Sequence, residues 1–304
     1  MSARRPHSRA RAPGAASAGT GAWAGRPRDH RAVLVVGIVN VTPDSFYDGG
    51  RFSGTDAAVA HALELAGEGA DWLDVGGEST RPGAQPVPAD EERARVLPVI
   101  EALAKHCALP ISVDTRRAEV ADAALARGAR IVNAVAGLRD PALADVCAAH
   151  GATLVINHMR GEPATMQRAP AYTEVVHDVA RELLADAARA EAAGVARERI
   201  WLDPGIGFGK RPREHSVPLI ARLEELVALG YPVLVGPSRK SFLAAFTNAP
   251  AEARLPGTLA AATACVLAGA RALRMHDVAA ARQAVDVAAA IRDARAGNEP
   301  GTDS

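Results

Sequence analysis

Aromatic side chains are scarce, only 4% of 304 residues, so the core has to be closed by aliphatic side chains and alanine-rich helices packed tightly on a sheet. Cysteine is scarcer still. Cys107, Cys147 and Cys265 are odd in number and far apart, which excludes a disulfide framework and a thiolate metal site and leaves buried thiols in a reducing compartment, the cytoplasm. Net charge is absent, so the whole-molecule field steers toward neither nucleic acid nor an anionic membrane. No apolar run has the length of a membrane span. Acidic residues are missing before Asp29, and the segment 1–30, rich in Arg, Ala, Gly, Ser and Pro, reads as a disordered basic leader. A transit peptide is the alternative for that segment; it has no apolar core of a secretory signal. Residues 297–304 read as a flexible tail, and nothing between 31 and 296 resembles a linker, so one domain is expected there.

What is present is a rhythm. Eight apolar runs recur, each near the length of a buried strand: Val33–Val39, Trp72–Val75, Ile111–Val113, Ile131–Val132, Leu154–Ile156, Ile200–Leu202, Val233–Val235 and Leu273–Met275. Helical spacing fills the intervals, as in Val59, Leu63 and Ala66, or Val175, Val179, Leu183 and Ala187, or Val278, Ala281, Val285 and Ala288. Gly69, Gly128, Gly151, Gly194, Gly230 and Gly269 each stand just before a strand, where helices stop. Eight strand–helix cycles predict an α/β fold, a single-domain (β/α)8 TIM barrel. An open doubly wound sheet is the other arrangement, but no phosphate fingerprint follows the first strand.

Polar residues follow every strand at the same end. They are Asn40 after the first, Gly76-Gly-Glu-Ser-Thr-Arg-Pro-Gly83 after the second, and Asp114, Asn133 and Asn157-His-Met159 after the next three. Asp203 heads a run of alternating glycines ending at Lys210, Gly236-Pro-Ser-Arg-Lys240 follows the seventh strand, and Arg274-Met-His276 runs through the eighth. Alternating glycines permit positive φ and a close approach of ligand to main chain. Taken singly, Asp114 or Asp203 reads equally as a cap, His276 as a core histidine, and Lys240 as a solvated first turn. Their convergence on one barrel rim reads as a binding site.

Gly37-Ile-Val-Asn-Val-Thr-Pro-Asp-Ser-Phe46, Gly76-Gly-Glu-Ser-Thr-Arg-Pro-Gly83, Ser112-Val-Asp114, Asp203-Pro-Gly-Ile-Gly-Phe-Gly-Lys210, Ser238-Arg-Lys240 and Arg274-Met-His-Asp277 together resemble the dihydropteroate synthase family. The resemblance runs in register from about Val35 to about Arg292. It implies a transferase of folate biosynthesis, the sulfonamide target, which condenses 6-hydroxymethyl-7,8-dihydropterin diphosphate with 4-aminobenzoate and releases pyrophosphate. By the same resemblance Asp114, Asn133, Asp203 and Lys240 hold the pterin, Ser238 and Met275 line its site, and Arg274 and His276 meet the diphosphate. Asn40 ligates Mg²⁺. Phe46, Thr80, Arg81 and Pro82, on the first two loops with Thr42 and Pro43, complete the aminobenzoate pocket. Lys240, Arg274, His276 and Asp114 are the expected catalytic group, and a homodimer is the family expectation.

One position departs. The family has Asn-Asp where this chain has Asn133-Ala134; Asp140 is the nearby carboxylate in sequence, and an aspartate restored at 134 is expected to crowd Asp114 and Asn133 in the mouth. Two other functions share parts of this pattern: methyl transfer from a pterin to a corrinoid protein, which needs no diphosphate cations, and a non-catalytic pterin-binding role.

Overall fold

The structure is a computed structural model that describes residues 33–41, 54–80 and 83–297. Its eight strands are β1 (Leu34–Asn40), β2 (Trp72–Gly76), β3 (Ile111–Thr115), β4 (Ile131–Ala134), β5 (Thr153–Asn157), β6 (Ile200–Asp203), β7 (Leu234–Val235) and β8 (Ala272–Met275). They hydrogen-bond in the order β6-β5-β4-β3-β2-β1-β8-β7, which is chain order around a ring cut between β6 and β7. A parallel bridge of Leu202 with Val233 spans that cut, and the Leu202 N–H donates to the Pro232 carbonyl at 3.0 Å. The ring is the expected (β/α)8 barrel.

The helices are α1 (Gly54–Gly67), α2 (Ala89–His106), α3 (Ala118–Leu125), α4 (Ala142–His150), α5 (Val175–Ala192), α6 (Val217–Ala221), α7 (Leu223–Val227), α8 (Ala244–Thr247), α9 (Leu255–Leu267) and α10 (Val278–Arg295). The eightfold alternation is modified after β6, where two five-residue helices stand in place of one long one, and after β7, where the four-residue α8 precedes the 13-residue α9. The period-two alternation of a strand decides which side chains go where. Outward residues such as Val35, Leu73, Val113, Ala134, Leu154 and Met275 join the helices in one apolar layer. Inward residues Val36, Trp72, Ile131, Val155, Leu234 and Ala272 form a separate floor inside the ring. Trp72 and Trp201 meet edge-on there at 5.4 Å, so two of the few aromatics seal the bottom of the barrel.

All six glycines expected to end helices have positive φ, from 59° at Gly151 to 110° at Gly128, a region that L side chains rarely enter. The expected stripes of α5 and α10 are buried as spaced. That of α1 is offset: Ala58, Ala62 and Leu65 face the sheet, while Leu63 is exposed. Small residues win that face because the helix lies close to β1, where a Cβ on Gly37 would come 3.2 Å from Leu65. Cys147 and Cys265 are buried thiols as expected, but Cys107 is half-exposed at the end of α2. No helix among the described residues is long and apolar enough to cross a membrane. The segments 1–30 and 298–304 lie outside the described residues.

Candidate active site

Above the apolar floor the inward side chains turn polar. Ile38, Asp114, Asn133, Val135, Asn157, Asp203, Phe208, Gly236, Ser238, Lys240, Arg274 and His276 line a mouth at the carboxyl ends of the strands. Seven of the predicted site residues, Asp114, Asn133, Asp203, Ser238, Lys240, Arg274 and His276, thus meet in one cavity. Sequence spacing alone could not bring together residues spread over 160 positions; the parallel ring does so because every strand delivers its last inward residue to the same rim.

The third and eighth strands are joined across the mouth by charge. Arg274 donates from its Nη2 to Asp114 Oδ2 at 2.8 Å and from its Nε to Asp74 Oδ2 at 2.5 Å. Asp74, on β2, also accepts from Asn133 Nδ2 at 3.1 Å. Neither Asp74 nor Asn157 was among the expected site residues. Asn157 was legible as the last residue of the fifth strand; Asp74 lies within an apolar run and gave no signal. Burial pushes the Asp114 carboxyl up, against the pull of Arg274, and Asp74 and Glu92 add to the push. Asp203 is likewise raised by burial, opposed by the Gly205 N–H, Lys240 and Lys210.

Buried acceptors in the mouth are left without internal donors. Asp114 Oδ1, Asn133 Oδ1, Asn157 Oδ1 and, just beneath, Asp74 Oδ1 are buried with no hydrogen-bond partner. Leaving such an atom unpaired costs about 1–3 kcal/mol, so four together mark a place built for a donor-bearing ligand. Lys240 Nζ sits 3.6 Å over the Phe208 ring, and burial lowers its pKa to about 8 against the attraction of Asp203 and Asp114. Ser238 Oγ accepts the His276 main-chain N–H at 3.1 Å and lies 3.0 Å from Nδ1. With its hydroxyl proton given to Nδ1, the histidine keeps Nε2–H as its ring donor.

The glycine loop behaves differently from the expectation. Asp203 Oδ1 accepts the Gly205 N–H at 2.7 Å, so the turn and the binding carboxylate are one residue. Gly205 and Gly209 admit the neighbouring loop rather than a ligand: a Cβ would stand 1.9 Å from the His158 carbonyl oxygen and 2.3 Å from that of Arg160. Lys210 turns away from the mouth. Its Nζ reaches His158 Nδ1 at 2.9 Å and the carbonyls of His158 and Phe208 at 3.2 and 3.1 Å, three acceptors around one amine whose pKa burial holds well below the ordinary lysine value. Burial and Lys210 hold the His158 pKa down at about 4, so a neutral ring bridges Lys210 to Glu182 at 2.9 Å.

Thr80 lines a small adjoining recess that shares Asp114 and Val135 with the mouth. Its base is fixed by Arg117, which donates to Glu78 at 2.6 Å and to Glu92, and by Arg116, which pairs with Glu78 and Glu162. Phe46, Arg81 and Pro82, with Thr42 and Pro43, lie outside the described residues. Asn40 ends β1 at the rim, half-buried, beside Gly76 of β2. Among the described residues no three His, Cys, Asp or Glu side chains cluster as a metal site, so the metal expectation rests on Asn40.

Three expectations are corrected. Met275 faces the helical layer, fully buried, because the strand alternation that turns Arg274 and His276 inward turns it out. Ala134 does the same, so an aspartate there would meet helices, not Asp114 and Asn133. Asp140 compensates nothing in the mouth: its carboxylate accepts the N–H groups of Ala118 and Ala142 at the starts of α3 and α4.

A barrel mouth that gathers buried, partnerless N–H acceptors together with Arg, Lys and His side chains suits a nitrogen heterocycle carrying an anionic group. The family model "Pterin binding enzyme" matches residues 36–276. Dihydropteroate synthase of Escherichia coli (strain K12) is 44% identical over 261 residues, 86% of this chain and 92% of that protein. That of Neisseria meningitidis serogroup B is 48% identical over 260 residues, 83% and 90% of the two chains. The solved structure of Xanthomonas albilineans dihydropteroate synthase with 4-aminobenzoic acid superposes with a TM-score of 0.81 at 48% identity, over 86% and 93% of the chains. The same enzyme in complex with 7,8-dihydropteroate gives 0.78 at 45%, over 86% and 94%. The chain belongs to the pterin-binding enzyme family and, within it, to the dihydropteroate synthases.

Proposed function

We propose that the mouth joins 6-hydroxymethyl-7,8-dihydropterin diphosphate to 4-aminobenzoate, forming 7,8-dihydropteroate and pyrophosphate. The observation that carries this reading is the set of buried, partnerless acceptor oxygens on Asp114, Asn133 and Asn157, which complement the adjoining N–H donors of a 2-amino-4-oxo pterin edge. Asp203 adds a second carboxylate, and Lys240 donates to the ring oxygen and a ring nitrogen. Arg274 and His276 face the leaving diphosphate, where negative charge grows as the carbon–oxygen bond breaks; removing such a donor costs about 2.7–4 kcal/mol in other enzymes.

Mg²⁺ is part of the proposal. Asn40 offers one amide oxygen at the rim, with diphosphate oxygens and water as the remaining ligands, which is the oxygen ligation this ion prefers. Bound there, it would neutralise charge on the diphosphate. Residues 31–296 form the proposed catalytic unit, and Thr80, with Phe46, Arg81 and Pro82, the proposed wall of the aminobenzoate site. A homodimer is supported by an apolar groove lined by Val217, Ile220, Phe242, Ala261, Ala264 and Leu267 on α6, α9 and the turn before α8, to be tested by light scattering. The free cysteines support residence in the cytoplasm. The decisive experiment mixes both substrates with the protein and measures pyrophosphate, with and without Mg²⁺; no release in either condition would remove the proposal.

A further inference from the structure

The layer of the barrel just beneath the mouth holds a charge where an aliphatic side chain would pack. Below it the inward positions are Val36, Trp72, Ile131, Val155, Leu234 and Ala272, an ordinary barrel filling. One step up on β2 stands Asp74, 1% exposed. It does not line the cavity, but Arg274 and Asn133, which donate to it, both do.

We propose that Asp74 is a positioning residue for the transfer reaction: its buried carboxylate holds the Arg274 guanidinium and the Asn133 amide in the orientations in which they meet the diphosphate and the pterin. The inference rests on the reading of the mouth given above.

One oxygen does both tasks. Asp74 Oδ2 takes Arg274 Nε at 2.5 Å and Asn133 Nδ2 at 3.1 Å. A guanidinium is planar, so contacts at Nε and Nη2 fix the plane of the whole group. The second contact, Nη2 to Asp114 Oδ2 at 2.8 Å, belongs to a residue that has to receive the pterin as well. Asp114 therefore has to serve Arg274 through Oδ2 and the pterin through its free Oδ1, whereas Asp74 fixes Arg274 without lining the cavity. The Asn133 contact acts in the same sense, since an amide that donates through Nδ2 to Asp74 presents Oδ1 to the mouth, and Oδ1 is the buried acceptor without a partner.

A purely structural explanation is weaker. Two buried carboxylates share one guanidinium, and Asp74 Oδ1 has no donor at all. Such an arrangement spends stability that an apolar side chain at this position would keep, because desolvation of a buried carboxylate exceeds what one partner returns.

The test is Asp74→Asn, alone and combined with Arg274→Lys, with steady-state kinetics for both substrates, thermal melting, and inhibition by inorganic pyrophosphate. Acting through Arg274, Asp74→Asn lowers kcat at least tenfold and weakens pyrophosphate inhibition, while KM for 4-aminobenzoate changes less than threefold. The double variant is then no slower than the slower single variant. Multiplying effects, or a wild-type kcat in Asp74→Asn, overturn the proposal. If Asp74→Asn yields no folded protein, Asp74→Glu keeps the charge but displaces it by one methylene; a wild-type kcat in that variant overturns the proposal equally. Wild-type protein that releases no pyrophosphate would instead sink the underlying functional reading.

Discussion

Arg274 and Asp114 meet at 2.8 Å across the barrel mouth although 160 positions separate them in the chain. The pair ties β8 to β3 above the floor and sets the electrostatics of the site. A guanidinium placed between two buried carboxylates stays charged, while each carboxylate has only half a partner. That imbalance leaves Asp114 with an unused acceptor for substrate.

The ionisation of this site predicts a narrow pH window. Asp114 has to be ionised to accept pterin N–H groups, and Lys240 has to be protonated to donate. Burial raises Asp114 to about 7 and lowers Lys240 to about 8. The kcat/KM for the pterin substrate is therefore expected to rise with pH through about 7 and to fall above about 8. Stability runs the other way. The folded chain holds the Asp114 proton more tightly than its ordinary 3.8 allows, so this residue's contribution declines as pH climbs from the ordinary value toward 7. Activity that stays flat from about pH 6 to about 9 would contradict both assignments.

Asp203→Asn is expected to weaken pterin binding by about 2–5 kcal/mol, the range for losing one partner of a buried hydrogen-bonded charge pair. The amide keeps one acceptor oxygen, already occupied by the Gly205 N–H in the wild type, and turns an NH₂ toward ring N–H donors. Calorimetric titration reads the change directly. Wild-type affinity would mean that the pterin does not lie against Asp203.

Gly205→Ala should cost far more than its single carbon suggests. The backbone there has φ of +64°, and the new Cβ would stand 1.9 Å from the His158 carbonyl oxygen, so the β6 loop would be driven off the β5 loop. We expect a fall in thermal stability together with weaker pterin binding. Gly54→Ala is the control: no described residue lies within 4 Å of its Cβ, and it opens α1, so it should be neutral or stabilising by about 0.4–1 kcal/mol. Similar melting curves for the two variants would show that the two loops are not packed this way.

Ala134→Asp is expected to destabilise by about 3 kcal/mol or more, the cost of an uncompensated buried charge. Ala134 has no exposed surface and packs among the helix-facing apolar residues. Activity per folded molecule should hold, because the side chain points away from the mouth. Melting curves and steady-state rates, measured on the same preparations, separate the two effects; a gain in kcat/KM would place residue 134 in the site after all.

The sequence by itself determined the class of fold, because strand and helix periods and helix-ending glycines are local properties that each segment states independently. Six glycines predicted as stops are six positive-φ residues. It also determined the rim, since in a parallel ring the residue that ends a strand is a residue at the mouth: Asp114, Asn133, Asp203 and His276 were legible on that rule. What only the tertiary structure decided is direction and partnership. Met275, inside a matching motif, and Ala134, at the one departure from the family pattern, both face the helices, as the parity of each strand dictates. Lys210 ends the glycine loop yet clamps His158, because three main-chain and ring acceptors come within reach of its Nζ only when β5 and β6 lie side by side. Asp74 is the extreme case. A single aspartate in an apolar run carries no local signal, and its importance arises only where Arg274 and Asn133, brought in from two other strands, converge on one of its oxygens.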